Sequence, residues 1–213
     1  MLKNIKLIIL DLDGTIVDAY DAIIDSFNYM MKKLHLPSIK PSIIRRAVGW
    51  GDRMLLSPFI SEKILNKALR IYRPHHKISL LDKSHLLPGA RNSLKYLKEK
   101  GYELAVASNR PSEFSKILIK HLKIDKFFDY VLCADQVKNG KPDPEIINKL
   151  MKIFSVSSKQ TVYIGDMIVD IQAAKAAQVK SIAVLTGSST RKEIENQKPD
   201  YIFKDITFIR KAL

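Results

Sequence analysis

The chain has 213 residues, 46% of them hydrophobic, which is enough for one domain with a sizeable core or for a domain that carries an insertion. A net charge of +14 favours anionic partners, but the basic residues are spread along the whole chain without a basic tail or zinc-finger spacing, so nucleic-acid binding is not favoured. The single cysteine, Cys133, excludes a disulfide framework, and no apolar run approaches the ~20 residues of a membrane span. These features predict a soluble, cytoplasmic protein without a membrane partner.

The chain begins with an apolar strand that ends in two carboxylates. Residues 5–10 read IKLIIL, Asp11 and Asp13 follow at once, and Thr15 comes two residues later. A carboxylate that leaves an apolar core is penalised in its charged form unless it has a partner. We therefore expect a compensating positive charge from elsewhere in the fold or from a bound ion.

Residues 16–85 carry helical periodicity and no strand pattern. Apolar residues from Ile16 to Leu34 recur with a period of 3.6, which predicts a helix that ends before Pro37. Shorter helices are predicted over 42–48, 52–60 and 62–73, the last ended by Pro74. The histidines in and after this stretch have no cysteine or carboxylate at metal-ligand spacing, and we expect them at the surface: His75, His76 and His85.

From residue 86 on, strands alternate with helices. Strands are predicted at 102–107, 130–134, 161–164, 181–185 and 201–203. Helices are predicted at 90–100, after Pro111, after Pro144 and at 167–178. This alternation indicates βαβ units and a parallel sheet covered on both faces, to which residues 5–10 also belong by composition. We therefore predict an α/β fold in which 1–15 and 86–213 form a doubly wound parallel sheet and 16–85 form an inserted all-helical domain.

Polar side chains follow the predicted strands at the edge where parallel sheets hold their ligands. They are Asp11, Asp13 and Thr15, then Ser108 and Asn109, then Lys141, and finally Asp166 and Asp170. Each of these groups alone is also typical of a turn or a helix cap. Together, four carboxylates at one edge would repel unless a cation lay between them, and oxygen ligands suit Mg²⁺. A lysine and a hydroxyl would hold an anion such as phosphate.

In this order the motifs resemble those of the haloacid dehalogenase-like superfamily of phosphohydrolases. The matching segments are DLDGT (11–15), SN (108–109), GKPDP (140–144) and GDMIVD (165–170). The resemblance implies a Rossmann-like core, an α-helical cap domain after the first motif, and Mg²⁺ as the cofactor. The segment RRAVGWGD (45–52) is similar to the cap of the phosphoglycolate phosphatase group within this superfamily.

The resemblance also implies a role for each matching residue. Asp11 is the nucleophile that becomes an aspartyl-phosphate, and Asp13 protonates the leaving oxygen and then deprotonates the hydrolytic water. Ser108 and Lys141 hold the phosphate oxygens. The implied metal ligands are Asp11, Asp166 and the backbone carbonyl of Asp13, with Asp170 supporting them, and Thr15 and Asn109 are implied to bind substrate.

We expect the cap to determine substrate specificity, because the residues at the sheet edge bind only the phosphoryl group. Arg45 lies one helical turn before the Gly-Trp-Gly turn of residues 49–51. Its guanidinium could bind a substrate carboxylate through two parallel hydrogen bonds. We therefore predict that Arg45 and Trp50 bind substrate. The alternative is that Arg45 is a solvated side chain and Trp50 a packing residue.

Three functions remain open at this point. The first is a Mg²⁺-dependent phosphatase that acts on a small phosphorylated metabolite such as phosphoglycolate. The second is a phosphomutase of the β-phosphoglucomutase type on the same fold, which returns the phosphoryl group to its substrate. The third is a basic nucleic-acid-binding protein on an inactive phosphatase fold, which the intact carboxylates and Lys141 disfavour. The sequence does not indicate an oligomeric state.

Overall fold

A computed structural model describes residues 2–213, and its centre is a six-stranded, wholly parallel sheet. The strand order is β5-β4-β1-β6-β7-β8. These strands are β1 (Leu7–Leu10), β4 (Glu103–Ser108), β5 (Tyr130–Cys133), β6 (Thr161–Gly165), β7 (Lys180–Val184) and β8 (Tyr201–Phe203). The predicted parallel sheet is therefore confirmed.

Helices cover the sheet on both faces. They are α5 (Ala90–Glu99), α6 (Ser112–His121), α7 (Glu145–Ile153), α8 (Ile168–Ala176) and α9 (Arg191–Asn196). Short 3₁₀ turns lie between helices and strands at Asp125–Phe127, Ala134–Gln136 and Ser158–Gln160, and a further one, Ile206–Lys211, follows β8. The sequence analysis did not predict α9 or the turn at Ile206–Lys211, because each is short and carries few periodic apolar residues.

Strand β1 is buried on both faces, which explains its unbroken apolar run. Ile8 and Leu10 pack into the cluster that contains residues of α5 and α6, whereas Leu7 and Ile9 pack against residues of α7 and α8. A strand covered on both faces has no polar side to present to water. The first polar residue that follows, Asp11, therefore lies at the end of a fully buried strand.

The segment between β1 and α5 is helical and has its own apolar cluster, made of residues between 20 and 72. Its helices are α1 (Tyr20–Lys33), α2 (Pro41–Ala47), α3 (Asp52–Leu56) and α4 (Glu62–Lys83). This separate cluster supports the assignment of the segment as a cap domain, and the domain boundaries themselves stay a prediction. We refer to residues 16–85 as the cap and to the rest as the core.

The start of the cap differs from the prediction. The helix predicted from Ile16 begins at Tyr20, and Val17–Asp18 form a short strand, β2, that pairs antiparallel with β3 (His85–Leu86). Ile16 and Val17 are apolar because they belong to the apolar cluster of the core. Their positions match the helical spacing of α1 by coincidence, so the predicted helix began too early. A two-stranded ribbon thus joins the two ends of the cap where they leave the core.

Helix α4 does not end at Pro74, as the sequence analysis predicted, but continues to Lys83. A proline inside a helix removes one hydrogen bond and costs about 3 kcal/mol. The residues beyond it offset this cost, because Ser79 and Leu80 are buried, as Leu69 and Tyr72 are before it.

The prediction that His76 lies at the surface is wrong, since this residue is only 2% exposed. The continuation of α4 through Pro74 places His76 one turn after Tyr72, on the same buried face of the helix. His75 is half-buried, and His85 is exposed, as predicted. Among residues 2–213, no helix combines the length and the hydropathy needed to cross a bilayer.

Replacing Pro74 should stabilise the protein. In Pro74→Ala the helix regains a hydrogen bond, which stabilises the folded state. The unfolded chain also regains some freedom, which offsets part of this gain. We therefore expect the free energy of unfolding to rise by about 1–2 kcal/mol. Urea denaturation followed by circular dichroism measures this change. Pro58→Ala, in the turn between α3 and α4, is the matched control and should leave stability unchanged or slightly lower. An equal change in both variants would contradict a continuous helix.

Candidate active site

The predicted site residues meet at one edge of the sheet because three strands end there side by side. Leu10 at the end of β1 lies opposite Val106 on β4 and Ile164 on β6. The residues that follow these strands therefore emerge together. This register brings Asp11, Ser108 and Asp166 to the same edge.

Lys141 connects two of the carboxylates at this edge. Its Nζ donates hydrogen bonds to Asp11 Oδ1 at 2.7 Å, to Asp170 Oδ1 at 2.7 Å and to the Tyr163 hydroxyl at 2.8 Å. All three donors of the ammonium are thereby used. Burial alone lowers the pKa of Lys141, but Asp11 and Asp170 outweigh it and hold the pKa well above its usual range. Lys141 is therefore a fixed, buried positive charge.

Asp11 keeps one oxygen free. Burial raises the pKa of its carboxyl to about 7, with a further contribution from Asp170 and against the attraction of Lys141. Only Oδ1 accepts a hydrogen bond from residues 2–213, and the residue lines the cavity above the sheet edge. The second oxygen can therefore face a ligand in that cavity.

Asp166 is a fully buried carboxylate without a cationic partner among the described residues. It accepts hydrogen bonds from Thr15 Oγ1 at 3.0 Å and from the Ser188 amide at 3.3 Å. Burial, Asp170 and Asp11 raise its pKa well above the usual range. A Cβ atom on Gly187 would overlap its carboxylate, so only glycine leaves the space that Asp166 occupies.

A metal ion fits these carboxylates. Oxygen atoms of Asp11, Asp166 and Asp170 lie within 4.8 Å of one another, all three residues are buried, and Lys141 alone offsets their charge. Asp170 also accepts hydrogen bonds from the amides of Asp166 and Met167, which fixes its orientation. Buried carboxylates in such a set stay charged only beside further positive charge, and oxygen donors suit a hard divalent cation. The cluster could therefore hold a metal ion.

Ser108 and Asn109 lie in the cavity lining, as expected for residues at the end of β4. Ser108 Oγ accepts a hydrogen bond from the amide of Arg110, so its own proton remains available for a ligand. The Asn109 side chain instead ties backbone together, since its amide nitrogen donates to the carbonyls of Gly49 and Lys141 at 2.9 Å and its oxygen accepts from the Lys141 amide. Asn109 thus joins the cap loop to the loop that carries Lys141.

The other three residues predicted to bind substrate lie outside the cavity lining. Thr15 is fully buried and donates its hydrogen bond to Asp166. The guanidinium of Arg45 lies 3.8 Å from the centroid of the Tyr20 ring, and Trp50 is 40% exposed. Their contacts with substrate stay predictions.

The turn between Arg45 and α3 does approach other residues closely, but these residues belong to the core. A Cβ on Gly49 would overlap the Met167 side chain that follows β6. The Gly49 carbonyl also accepts the hydrogen bond from Asn109. The glycine therefore allows the cap loop to seat against the sheet edge.

Sequence reasoning missed three residues of the site. Arg110 forms a two-pronged ion pair with Asp13, with Nε to Oδ2 at 2.9 Å and a terminal nitrogen to Oδ1 at 2.7 Å. His76 contacts Arg110 from the cap, and Tyr163 contacts Lys141 from within β6. Arg110 directly follows the SN motif and could have been found there. His76 was expected at the surface, because the helix before it was predicted to end at Pro74, and Tyr163 lies in an apolar strand pattern that gave no separate signal.

A cavity of about 50 Å³ lies between the sheet edge and the cap. Its floor carries Asp11, Asp13, Ser108 and Lys141. Its cap side is mostly apolar and includes Ile23, Val48, Leu55 and Tyr72. This arrangement places most of the charged groups at one end of a small cavity and mostly apolar side chains at the other.

Comparisons with known proteins agree with this geometry. A family model described as haloacid dehalogenase-like hydrolase matches residues 8–184. Phosphoglycolate phosphatase from Vibrio cholerae is 30% identical over 96% of this chain and 95% of its own, and the enzyme of that name from Nitrosococcus oceani is 28% identical over 100% and 98%. A crystal structure described as a predicted phosphoglycolate phosphatase from Haemophilus somnus superposes with a TM-score of 0.93 at 27% identity, covering 100% of this chain and 99% of that one. The chain belongs to the haloacid dehalogenase-like hydrolase family.

Proposed function

We propose that this phosphatase is Mg²⁺-dependent and that it hydrolyses a small, phosphoglycolate-like phosphate ester through an aspartyl-phosphate on Asp11. One observation carries the proposal: Lys141 holds one oxygen of Asp11 while the other oxygen remains free in the cavity. A carboxylate fixed in this way can attack phosphorus without first reorganising. Attack by a carboxylate divides one difficult hydrolysis into two easier steps.

The groups around Asp11 suit the two steps. In the first, Asp11 forms a bond to phosphorus, the ester bond breaks, and Asp13 gives a proton to the leaving oxygen. In the second, Asp13 takes a proton from the water that attacks phosphorus, the bond between Asp11 and phosphorus breaks, and inorganic phosphate leaves. Lys141 and the Ser108 hydroxyl stabilise the negative charge on the phosphate oxygens in both steps.

Asp11, Asp166 and the backbone carbonyl of Asp13 would hold Mg²⁺, and Asp170 would support them. When bound, the ion would offset the charge of the phosphate oxygens and of the buried carboxylates. The raised pKa values of Asp11 and Asp166 support this assignment, because each carboxylate lacks enough positive charge to remain ionised.

The size of the cavity supports a small substrate. The cavity is small, about 50 Å³, and partly open to solvent, so it favours a small ester without excluding a larger leaving group. The apolar side chains of Ile23, Val48 and Leu55 cannot hydrogen-bond to a substrate, so they contribute shape rather than polar recognition. The relatives named phosphoglycolate phosphatase support phosphoglycolate as the first ester to test.

Asp11→Asn should abolish turnover while the protein still folds. The amide keeps the shape but cannot attack phosphorus, and Lys141 retains its contact with Asp170. The measurement is release of inorganic phosphate from phosphoglycolate, without a bisphosphate activator, together with thermal unfolding. Asp82→Asn, at an exposed position on α4, is the control and should keep full activity. A loss of less than about tenfold, or ~1.4 kcal/mol in the barrier, would refute the nucleophile role.

Removal of divalent metal should abolish activity, and Mg²⁺ should restore it. Ca²⁺ should inhibit, because it takes a larger and looser coordination shell. Mg²⁺ should also raise the melting temperature, because it binds the folded carboxylate cluster and relieves its repulsion. In Asp166→Asn this thermal shift should disappear. Full activity in excess chelator, or an unchanged thermal shift in the variant, would contradict the metal assignment.

Arg45→Ala tests whether the cap reads a substrate carboxylate. If Arg45 leaves the Tyr20 ring to bind that carboxylate, kcat/KM for phosphoglycolate should fall, with an increase in the activation free energy of roughly 1.5–3 kcal/mol. The value for an ester without a carboxylate should be unaffected. Arg53→Ala, which removes an exposed arginine paired with Glu62, is the control and should change neither. Equal losses on both esters would mean that Arg45 supports only the packing of Tyr20.

A further inference from the structure

Asp13 is held at both of its oxygens by one side chain of the core. Arg110 donates to Oδ2 through Nε at 2.9 Å and to Oδ1 through a terminal nitrogen at 2.7 Å. Only 6% of the Arg110 side chain and 13% of the Asp13 side chain are exposed, and both residues line the cavity. A two-pronged contact fixes the plane of a carboxylate as well as its position. Arg110 therefore determines which way Asp13 faces.

Arg110 is itself fixed by a residue of the cap. Its remaining terminal nitrogen lies 2.9 Å from His76 Nε2 on α4. Arginine can only donate, so His76 Nε2 accepts and the ring proton lies on Nδ1. That nitrogen is 3.3 Å from Ser26 Oγ, whose own proton goes to the Ala22 carbonyl on α1 at 2.8 Å. Every donor in this chain of contacts has an acceptor.

The position of the His76 ring is determined by packing on two sides. The Tyr72 ring stacks on it at 4.9 Å between centroids, and the Phe114 ring of α6 meets it edge-on at 5.1 Å. Burial and the neighbouring Arg110 hold the pKa of His76 well below its usual range, in agreement with a neutral ring. The contact with Arg110 thus comes from a rigid acceptor rather than from a mobile charge.

We propose that Arg110 is a positioning residue for Asp13, and that His76 from the cap fixes Arg110 for this task. The inference rests on the proposed function, in which Asp13 protonates the leaving oxygen. During that step one Asp13 oxygen, released from its contact with Arg110, passes a proton to the ester oxygen as the ester bond breaks, while the second oxygen keeps its contact with Arg110. Loss of the clamp lets the carboxyl group rotate away from the leaving oxygen.

The test compares two esters that differ in their need for an acid. p-Nitrophenyl phosphate has a leaving group that departs without protonation, whereas the alkyl leaving group of phosphoglycolate requires it. The value of kcat/KM for each ester covers the steps up to departure of the alcohol, so the ratio of the two values is sensitive to the acid, and the double variant described below separates this effect from recognition of the substrate carboxylate. A variant that only weakens the fold would lower both values together.

Arg110→Met and His76→Leu should lower kcat/KM for phosphoglycolate by roughly 10²-fold, the loss typical of a ~1 Å misplacement, and should affect p-nitrophenyl phosphate at least tenfold less. His76→Gln retains an acceptor near Nε2 and should recover most of the loss. Arg110→Lys keeps the charge without the fork and should fall between wild type and Arg110→Met. Lys77→Met is the matched control, since Lys77 also joins α4 to α6 through Glu113 but does not contact Asp13, and it should leave the ratio unchanged.

A double variant decides whether Arg110 acts through Asp13. Asp13→Asn alone should lower phosphoglycolate turnover by roughly 10²–10⁴-fold, and adding Arg110→Met should cause little further loss. Additive losses, or equal losses on the two esters in Arg110→Met and His76→Leu, would overturn the inference while leaving the proposed function intact. If Asp13→Asn itself showed no difference between the esters, the proposed acid role would fail first.

Discussion

The rest of the site depends on the buried ion pairs of Lys141 with Asp11 and Asp170. Removing charges from water is costly, and here an ammonium and two carboxylates are buried together at the end of the most apolar strand. The ammonium offsets only part of the negative charge, because Asp166 lies beside the cluster without a cation of its own. An incompletely neutralised pocket attracts a metal ion, and the free oxygen of Asp11 lies within it. The same interaction therefore orders the proposed nucleophile and leaves negative charge that a metal ion would offset.

Most of the sheet and its edge could be predicted from the sequence, for a local reason. A parallel strand buried on both faces reads as an apolar run, and the first polar residue after it marks the edge. Asp11, Ser108 and Asp166 all follow such runs directly. The pairing of His76 with Arg110 could not be predicted in this way. It joins residues of the cap and the core, and it depends on α4 continuing through Pro74, which local rules for proline argue against.

The positive charge of the chain does not concentrate in the cavity. The cations that line the cavity, Lys141 and Arg110, are each paired with aspartates, and His76 is neutral. Elsewhere many basic side chains form exposed pairs, such as Arg46 with Glu193 and Lys180 with Asp200, which contribute little to stability individually. The excess of +14 thus lies mainly on the outer surface. There it can raise the rate at which small anions encounter the protein without fixing which anion is bound.

The core and the cap contribute different groups to the cavity. The core supplies the charged groups on the cavity floor, and the cap supplies apolar side chains, the neutral acceptor His76 and Asp52, which is paired with Arg73. The apolar side chains contribute shape, whereas in the proposed mechanism His76 acts on Asp13 through Arg110. The seating of the Gly49 loop on Asn109 adds a second contact, which links the cap backbone to the loop of Lys141. In the proposed mechanism Lys141 positions the nucleophile and Arg110 positions the acid, and the cap is linked to both residues. His76 contacts Arg110 directly, and the Gly49 carbonyl accepts from Asn109, which also binds the Lys141 backbone. A shift of the cap that broke these bonds would disturb both groups at once, so the position of the cap would itself affect the chemistry.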